Sequence, residues 1–322
     1  MSVLNRPYFH DEQAAFDHVE AIIWPQGPVC PHCGCVDRIK AIPANPEKRV
    51  RFGLKRCGDC KGQFTVRMGT IFEESKLPLT KWLQAIFLMS SSKKGVSAHQ
   101  LHRTLEVTYK TAWFLAHRIR EAMVSGELDT PFGRGGATVE IDETFIGNDP
   151  DAPAPRKGKR RGVVQMMKVV ALVERESGQA RAVVIDNYKI ADVMAVVAAN
   201  VHPEAKVMTD ESKLYGSISY FYASHDTTNH SKGEYVNRQN KLIHSNTVEG
   251  YFSIFKRGMK GVYQHASKRH LHRYLAEFSF RYSMRAALGV DDQTRATEAL
   301  KGIVGKRLRY AGPSSVGGVE AA

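Results

Sequence analysis

The stretch Thr138-Val-Glu-Ile-Asp-Glu-Thr-Phe145 marks a change in the chain from helical to strand-like patterning. Glu140, Asp142 and Thr144 share one face of such a strand, while the other face is not cleanly apolar, so Asp142 is read as inward-facing against an imperfect alternation. Two further strand-like runs follow at 163–173 and 181–185, then a helix at about 191–200 and a short strand at 206–209. This order predicts an α/β layered domain over residues 131–290. Between the first two strands, Asn148-Asp-Pro-Asp-Ala-Pro-Ala-Pro-Arg-Lys-Gly-Lys-Arg-Arg161 is too rich in proline for regular structure and ends in a basic cluster, so it reads as a mobile loop.

Within that domain the acidic residues fall in a pattern with chemical meaning. Asp142 lies in the strand, and Asp210 closes the short strand Lys206-Val-Met-Thr209, at the strand end where α/β sheets place ligand-binding groups. A helix then starts near Asn246. At 100° per residue, Asn246, Glu249 and Lys256 fall within about 80° of one another on one face. Strand Asp, strand-end Asp and helix Asn/Glu/Lys, in that order, are what a ribonuclease-H-like nuclease core requires. Such a core gathers carboxylates around two Mg²⁺ (or Mn²⁺) ions. Asn246 and Glu249 both remain candidates for the third position.

Upstream, Cys30-Pro-His-Cys33 and Cys57-Gly-Asp-Cys60 form two C-x-x-C knuckles separated by a β-rich, basic stretch. Four thiolates at this spacing predict one structural Zn²⁺ in a small β-rich ribbon over residues 1–72; His32 and Cys35 are read as spare. Residues 73–130 are helical. Within them, 96–113 has the form of a helix-turn-helix: Ser97 and Thr108 are possible caps, Leu101 and Leu105 form an inner face, and Tyr109, Lys110 and Trp113 lie on the second helix. Lys110, Arg118 and Arg120 are candidates for gripping phosphates. Residues 291–322 read as a helical extension with a disordered tail from Gly312.

With 46 Lys and Arg against 33 Asp and Glu, the net charge is +13, which draws the chain to polyanions, nucleic acid above all. A membrane role is disfavoured, since apolar runs such as 82–89 and 193–199 are far too short to span a bilayer. The start, MSVLNRPYFHDEQ, lacks a basic region followed by an apolar run, so the expectation is a cytoplasmic protein.

Val-Glu-Ile-Asp142-Glu-Thr-Phe-Ile-Gly, Thr-Asp210-Glu and His244-Ser-Asn-Thr-Val-Glu-Gly-Tyr-Phe-Ser-Ile-Phe-Lys-Arg-Gly258 together resemble the insertion-sequence transposases that carry an N-terminal zinc ribbon and an Asp-Asp-Asn/Glu catalytic core. Phe64-Thr-Val-Arg-Met-Gly-Thr-Ile-Phe72 and Tyr274-Leu-Ala-Glu-Phe-Ser-Phe-Arg-Tyr282 add to the resemblance, which covers roughly residues 30–285. It implies catalytic roles for Asp142 and Asp210, with Asn246 or Glu249 in the third slot. Lys256, with Arg257 beside it, is implied to contact the DNA backbone near the cleaved bond. The implied partners are terminal inverted repeats and target DNA, met by a homodimer or larger assembly in the bacterial cytoplasm, on the nucleoid. A zinc-ribbon and helix-turn-helix regulator, or a domesticated transposase that no longer cuts, are the rival readings.

Overall fold

The computed structural model describes residues 2–45, 47–124, 130–155, 162–229 and 236–309. The basic cluster at 156–161 and the tail expected to be disordered lie outside the described residues. The chain divides into two compact units. One gathers Met1–Ser90, Ala98–Ala122 and Ala296–Ala322; the other gathers Ser91–Ser97 and Met123–Arg295. No described helix is long and apolar enough to cross a membrane.

The first unit opens with a helix that sequence patterning missed, α1 (Glu12–Ile23), whose N-cap Asp11 accepts from the Ala14 amide at 2.7 Å. The ribbon follows as three short antiparallel strands in the order β1 (Ile39–Ala41), β2 (Lys55–Cys57) and β3 (Gln63–Phe64). Of the short basic, strand-like stretch at 48–56, only the last two residues are strand, in β2; a turn occupies 47–49. Three helices follow: α2 (Leu79–Ser91), α3 (Ala98–Leu105) and α4 (Tyr109–Ala122). The Glu12 carboxylate accepts from the amides of Leu79 and Thr80 at 2.8 and 3.2 Å, satisfying the first donors of α2 from 67 residues away. Thr108 caps α4 by accepting from the Thr111 amide at 3.2 Å, and Leu101 and Leu105 are buried as their spacing requires. The chain later returns to this unit, where the Ile71 amide donates to the Ile303 carbonyl and the Gly305 amide to the Gly69 carbonyl.

The second unit is built on five strands, β4 (Thr138–Ile146), β5 (Met167–Glu174), β6 (Ala180–Ile185), β7 (Lys206–Asp210) and β8 (Ser224–Thr228). Their order is β6-β5-β4-β7-β8; β5 runs antiparallel to both β4 and β6, and β7 and β8 join parallel to β4. Residues 163–165, expected to begin the second strand, form a 3₁₀ turn before it. Helix α5 (Ile190–Asn200) covers one face through Val193 and Val197, which pack with Val139, Ile141, Val170 and Leu172. The other face carries α6 (Asn246–Gly258) and α7 (Lys268–Ser283), packed on Val169, Ala171 and Val173. The central strands are therefore buried on both faces, which is why β4 does not alternate like a half-exposed strand. A last helix, α8 (Asp292–Lys301), leads into the returning segment.

In α6, Val248, Tyr251, Phe252 and Phe255 recur at i, i+3, i+4 and i+7 and are all buried. At about 1.5–3 kcal/mol for each large apolar side chain, this stripe fixes the helix's rotation and turns Asn246, Glu249 and Lys256 away from the core.

Candidate active site and metal centre

Asp142 is partly buried in the middle of the central strand β4, paired across β5 with Ala171 and so on the α6 side of the sheet. The parallel register of β4 with β7 pairs Val139 with Val207 and Glu140 with Met208. The pairing ends there, and Asp142 and Asp210 each follow two residues on, so by strand alternation they face the same side as Glu140 and Met208. The Asp210 carboxylate accepts from the Ser212 amide at 2.9 Å, which holds the turn after β7.

Asp142 feels the charges of its acidic neighbours. The Asp142 carboxyl is pushed up to about 7, first by burial, then by the charge of Glu143, with Asp210 and Glu249 adding to it; the Glu143 amide, donating at 2.8 Å, opposes the rise. Like-charge crowding of this kind is the condition a divalent cation relieves, and an all-oxygen donor set suits a hard ion such as Mg²⁺. Glu249 is partly buried and accepts from the Ser245 hydroxyl at 3.1 Å, whereas Asn246, the first residue of α6, is exposed. Glu143 points to the opposite face of the sheet. Its carboxylate accepts from the hydroxyls of Tyr188 and Tyr215, and burial raises its carboxyl above the usual range despite those bonds.

In the first unit the ligand atoms of Cys30, Cys33, Cys57 and Cys60 lie within 4.8 Å of one another, with Cys30–Cys60 and Cys33–Cys57 sulfurs each 3.6 Å apart. A tetrahedral ion with metal–sulfur bonds of about 2.3 Å needs sulfurs at about that separation. The Cys60 amide draws the Cys57 thiol down to about 6, toward the thiolate a metal takes. His32 packs against Gly62, and neither it nor Cys35 joins the cluster. Among the described residues no other group of three or more Cys, His, Asp or Glu side chains converges so tightly; the acidic residues of the second unit stand further apart.

Residues 134–283 match the family described as ISXO2-like transposase domain, and residues 10–63 match the transposase zinc-ribbon domain. The chain thus carries the two domains of a zinc-ribbon transposase. The transposase is also 27% identical over 290 residues to an uncharacterized protein in transposable element ISH50 of Halobacterium salinarum, covering 85% of this chain and 91% of that one. A chain from the intasome of simian T-cell lymphotropic virus in complex with PP2A regulatory subunit B56 gamma aligns at 14% identity, over 56% of this chain and 67% of that chain. Its TM-score of 0.27 is too low to bear on fold or assembly.

The transposase's candidate DNA contacts divide by exposure. Lys110, Lys256 and Arg257 are exposed; the Lys256 ammonium lies 5.8 Å from the Phe252 ring centroid. Arg118 is different. It is only 5% exposed, donates to the Glu73 carbonyl at 2.6 Å and lies over the rings of Trp82 and Phe114. Reading it as a phosphate grip is therefore corrected: the guanidinium is a packing group of the first unit, and Arg120, 2% exposed, is likewise withdrawn. Arg118→Ala is expected to destabilise the transposase by about 2 kcal/mol, read as a lower melting temperature, because it empties a ring-lined site and orphans a carbonyl. The salt dependence of DNA binding should not change; a slope shallower by about 1 would restore the phosphate contact.

Sequence reasoning also passed over Glu140 and Glu143. Their signal was present in Glu140-Ile-Asp-Glu143, which places three carboxylates within four residues of a strand bound for a buried sheet.

Proposed function

We propose that this transposase cleaves transposon ends and joins the freed 3′-hydroxyl to target DNA at one acidic site, using a ribonuclease-H-like core. The reading is supported by Asp142 and Asp210 lying on neighbouring parallel strands, with Asp210 and Glu249 close enough to raise the Asp142 carboxyl. The mixed strand order around β4 supports the same reading.

In this reading Asp142 would help hold both cations, with Asp210 for one and Asn246 with Glu249 for the other. Mg²⁺ or Mn²⁺ held there would activate the attacking oxygen and stabilise the leaving 3′ oxygen. Hydrolysis at the element end frees the 3′-hydroxyl, which then attacks a target phosphodiester in line. Lys256 and Arg257, on the exposed side of α6, hold the DNA backbone beside the acidic residues. The zinc ribbon and the α3–α4 pair, read as a helix-turn-helix presenting Lys110, recognise the terminal inverted repeats. Because ends come in pairs, the working form is at least a dimer. A regulator that only binds DNA has no use for a carboxylate crowded by like charges, a costly arrangement unless a cation binds there.

The test is Mg²⁺-dependent cleavage of labelled element-end DNA. Glu249→Ala should lower the rate by about 100-fold and Asn246→Ala by about tenfold, since the half-buried charge at 249 is felt by Asp142 while the exposed amide at 246 neutralises no cation charge. A larger loss for Asn246→Ala would give the third position to the asparagine.

A further inference from the structure

Helix α6 lacks a cap of its own: Ser245, at the N-cap position, makes no side-chain capping bond. The orphan amides are met instead by Glu140, 107 residues earlier in sequence. Its carboxylate accepts from the Thr247 amide at 2.8 Å, the Thr247 hydroxyl at 2.7 Å and the Val248 amide at 2.9 Å. Glu140 is fully buried and paired with Arg175, with His244 Nδ1 3.3 Å away. Arg175 in turn donates to the carbonyls of Leu242 and His244, both at 2.6 Å, so it ties down the chain that leads into α6. A carboxylate at a helix N-terminus is favoured by the helix dipole, and charge-assisted bonds of this number are rigid.

The placement matters because Glu140 lies two residues before Asp142 on the same strand face. One strand thus carries both the acidic residue of the proposed site and the group that seats the first turn of α6, where Asn246 and Glu249 lie. We infer that Glu140, buttressed by Arg175, is a positioning residue that sets the third metal-binding position in register with Asp142. This rests on the acidic-site reading above.

The experiment compares Glu140→Gln, Thr247→Val and Asp142→Asn with the unaltered full-length protein. The readouts are Mn²⁺ binding by electron paramagnetic resonance, end-DNA binding, cleavage against Mg²⁺ concentration, and amide exchange over residues 245–249. Glu140→Gln keeps the side chain's shape but turns a donor toward donors. It should weaken Mn²⁺ binding about tenfold, lower cleavage about 10- to 100-fold with partial recovery at high Mg²⁺, speed exchange at 247 and 248, and leave DNA affinity within about twofold. Thr247→Val removes one of the bonds and leaves the ion pair; a loss of about threefold in Mn²⁺ affinity is expected, and it decides the matter if Glu140→Gln does not fold. Wild-type Mn²⁺ affinity in the folded variants overturns the inference, as does an activity loss that only follows the loss of folded protein. If Asp142→Asn still cuts, the acidic-site reading fails; if Asp142→Asn is inert while Glu140→Gln behaves as wild type, only the positioning role falls.

Discussion

Asp142→Asn and Asp210→Asn proteins should each lose element-end cleavage by on the order of 10³-fold or more, at any Mg²⁺ concentration, while still binding end DNA. The structural ground is that the two carboxylates lie on neighbouring parallel strands and that Asp210 adds to the rise of the Asp142 carboxyl. Cleavage at the wild-type rate in either variant would remove them from the reaction. The same substitution has an opposite effect on stability. With its carboxyl raised to about 7, folded Asp142 keeps a proton that the unfolded chain releases near pH 4. The folded state is therefore penalised progressively as pH rises from about 4 to about 7, and the full penalty stands above that range. At about 1.4 kcal/mol per tenfold, it is on the order of 4 kcal/mol. In chelator at pH 8, Asp142→Asn should melt higher than the unaltered protein by several degrees, and added Mg²⁺ should raise the melting temperature of the unaltered protein alone. Equal melting curves would mean that the carboxyl is not under this pressure.

Stripping the ribbon's metal with a strong chelator, or replacing Cys57 with Ser, should unfold the ribbon and abolish end-specific DNA binding. Among the described residues the apolar cluster there has Cys30, Cys57 and Phe64 as its buried members, with partly buried Trp24, Ile39 and Met68 around them, too little to fold without a staple. Structural zinc in such modules contributes about 10–16 kcal/mol near neutral pH, a large multiple of what three side chains supply. Trp24 reports the event, since its ring meets Phe64 edge-on at 5.9 Å and its emission should shift to the red as the metal leaves. Cys35→Ser should leave emission and binding unchanged, because Cys35 lies outside the cluster. A chelated protein that still distinguishes element ends from random DNA would move recognition away from the ribbon.

The parts legible in sequence were those governed by local spacing. Two C-x-x-C knuckles foretold the thiol cluster, and helical spacing foretold that Asn246, Glu249 and Lys256 share one face of α6. Strand β4 was found despite its imperfect alternation, whose cause, burial on both faces, depends on helices far along the chain. Strand β8 was missed because Ser224-His-Asp-Thr-Thr228 is a polar edge strand with no apolar period to detect. Helix α1 was absorbed into the ribbon module, although Asp11 and the buried Ala15, Phe16 and Val19 carry its signature. Arg118 was misread because a basic residue on a helix in a basic protein gives no sign that rings and a carbonyl enclose it. The role of Glu140 was out of reach, since local sequence does not pair a strand residue with a helix terminus 107 positions away.

The return of residues 303–305 to Gly69 and Ile71 also orders events in time. A growing chain can finish the five-stranded sheet before the first unit receives its closing segment, because everything the sheet needs has been made by then. Translation that stops just short of the returning segment would release a chain whose acidic residues can assemble but whose unit bearing the ribbon has no closing strand partner. Synthesis thus imposes a sequence of maturation on this protein, with the unit that bears the zinc ribbon last to be completed.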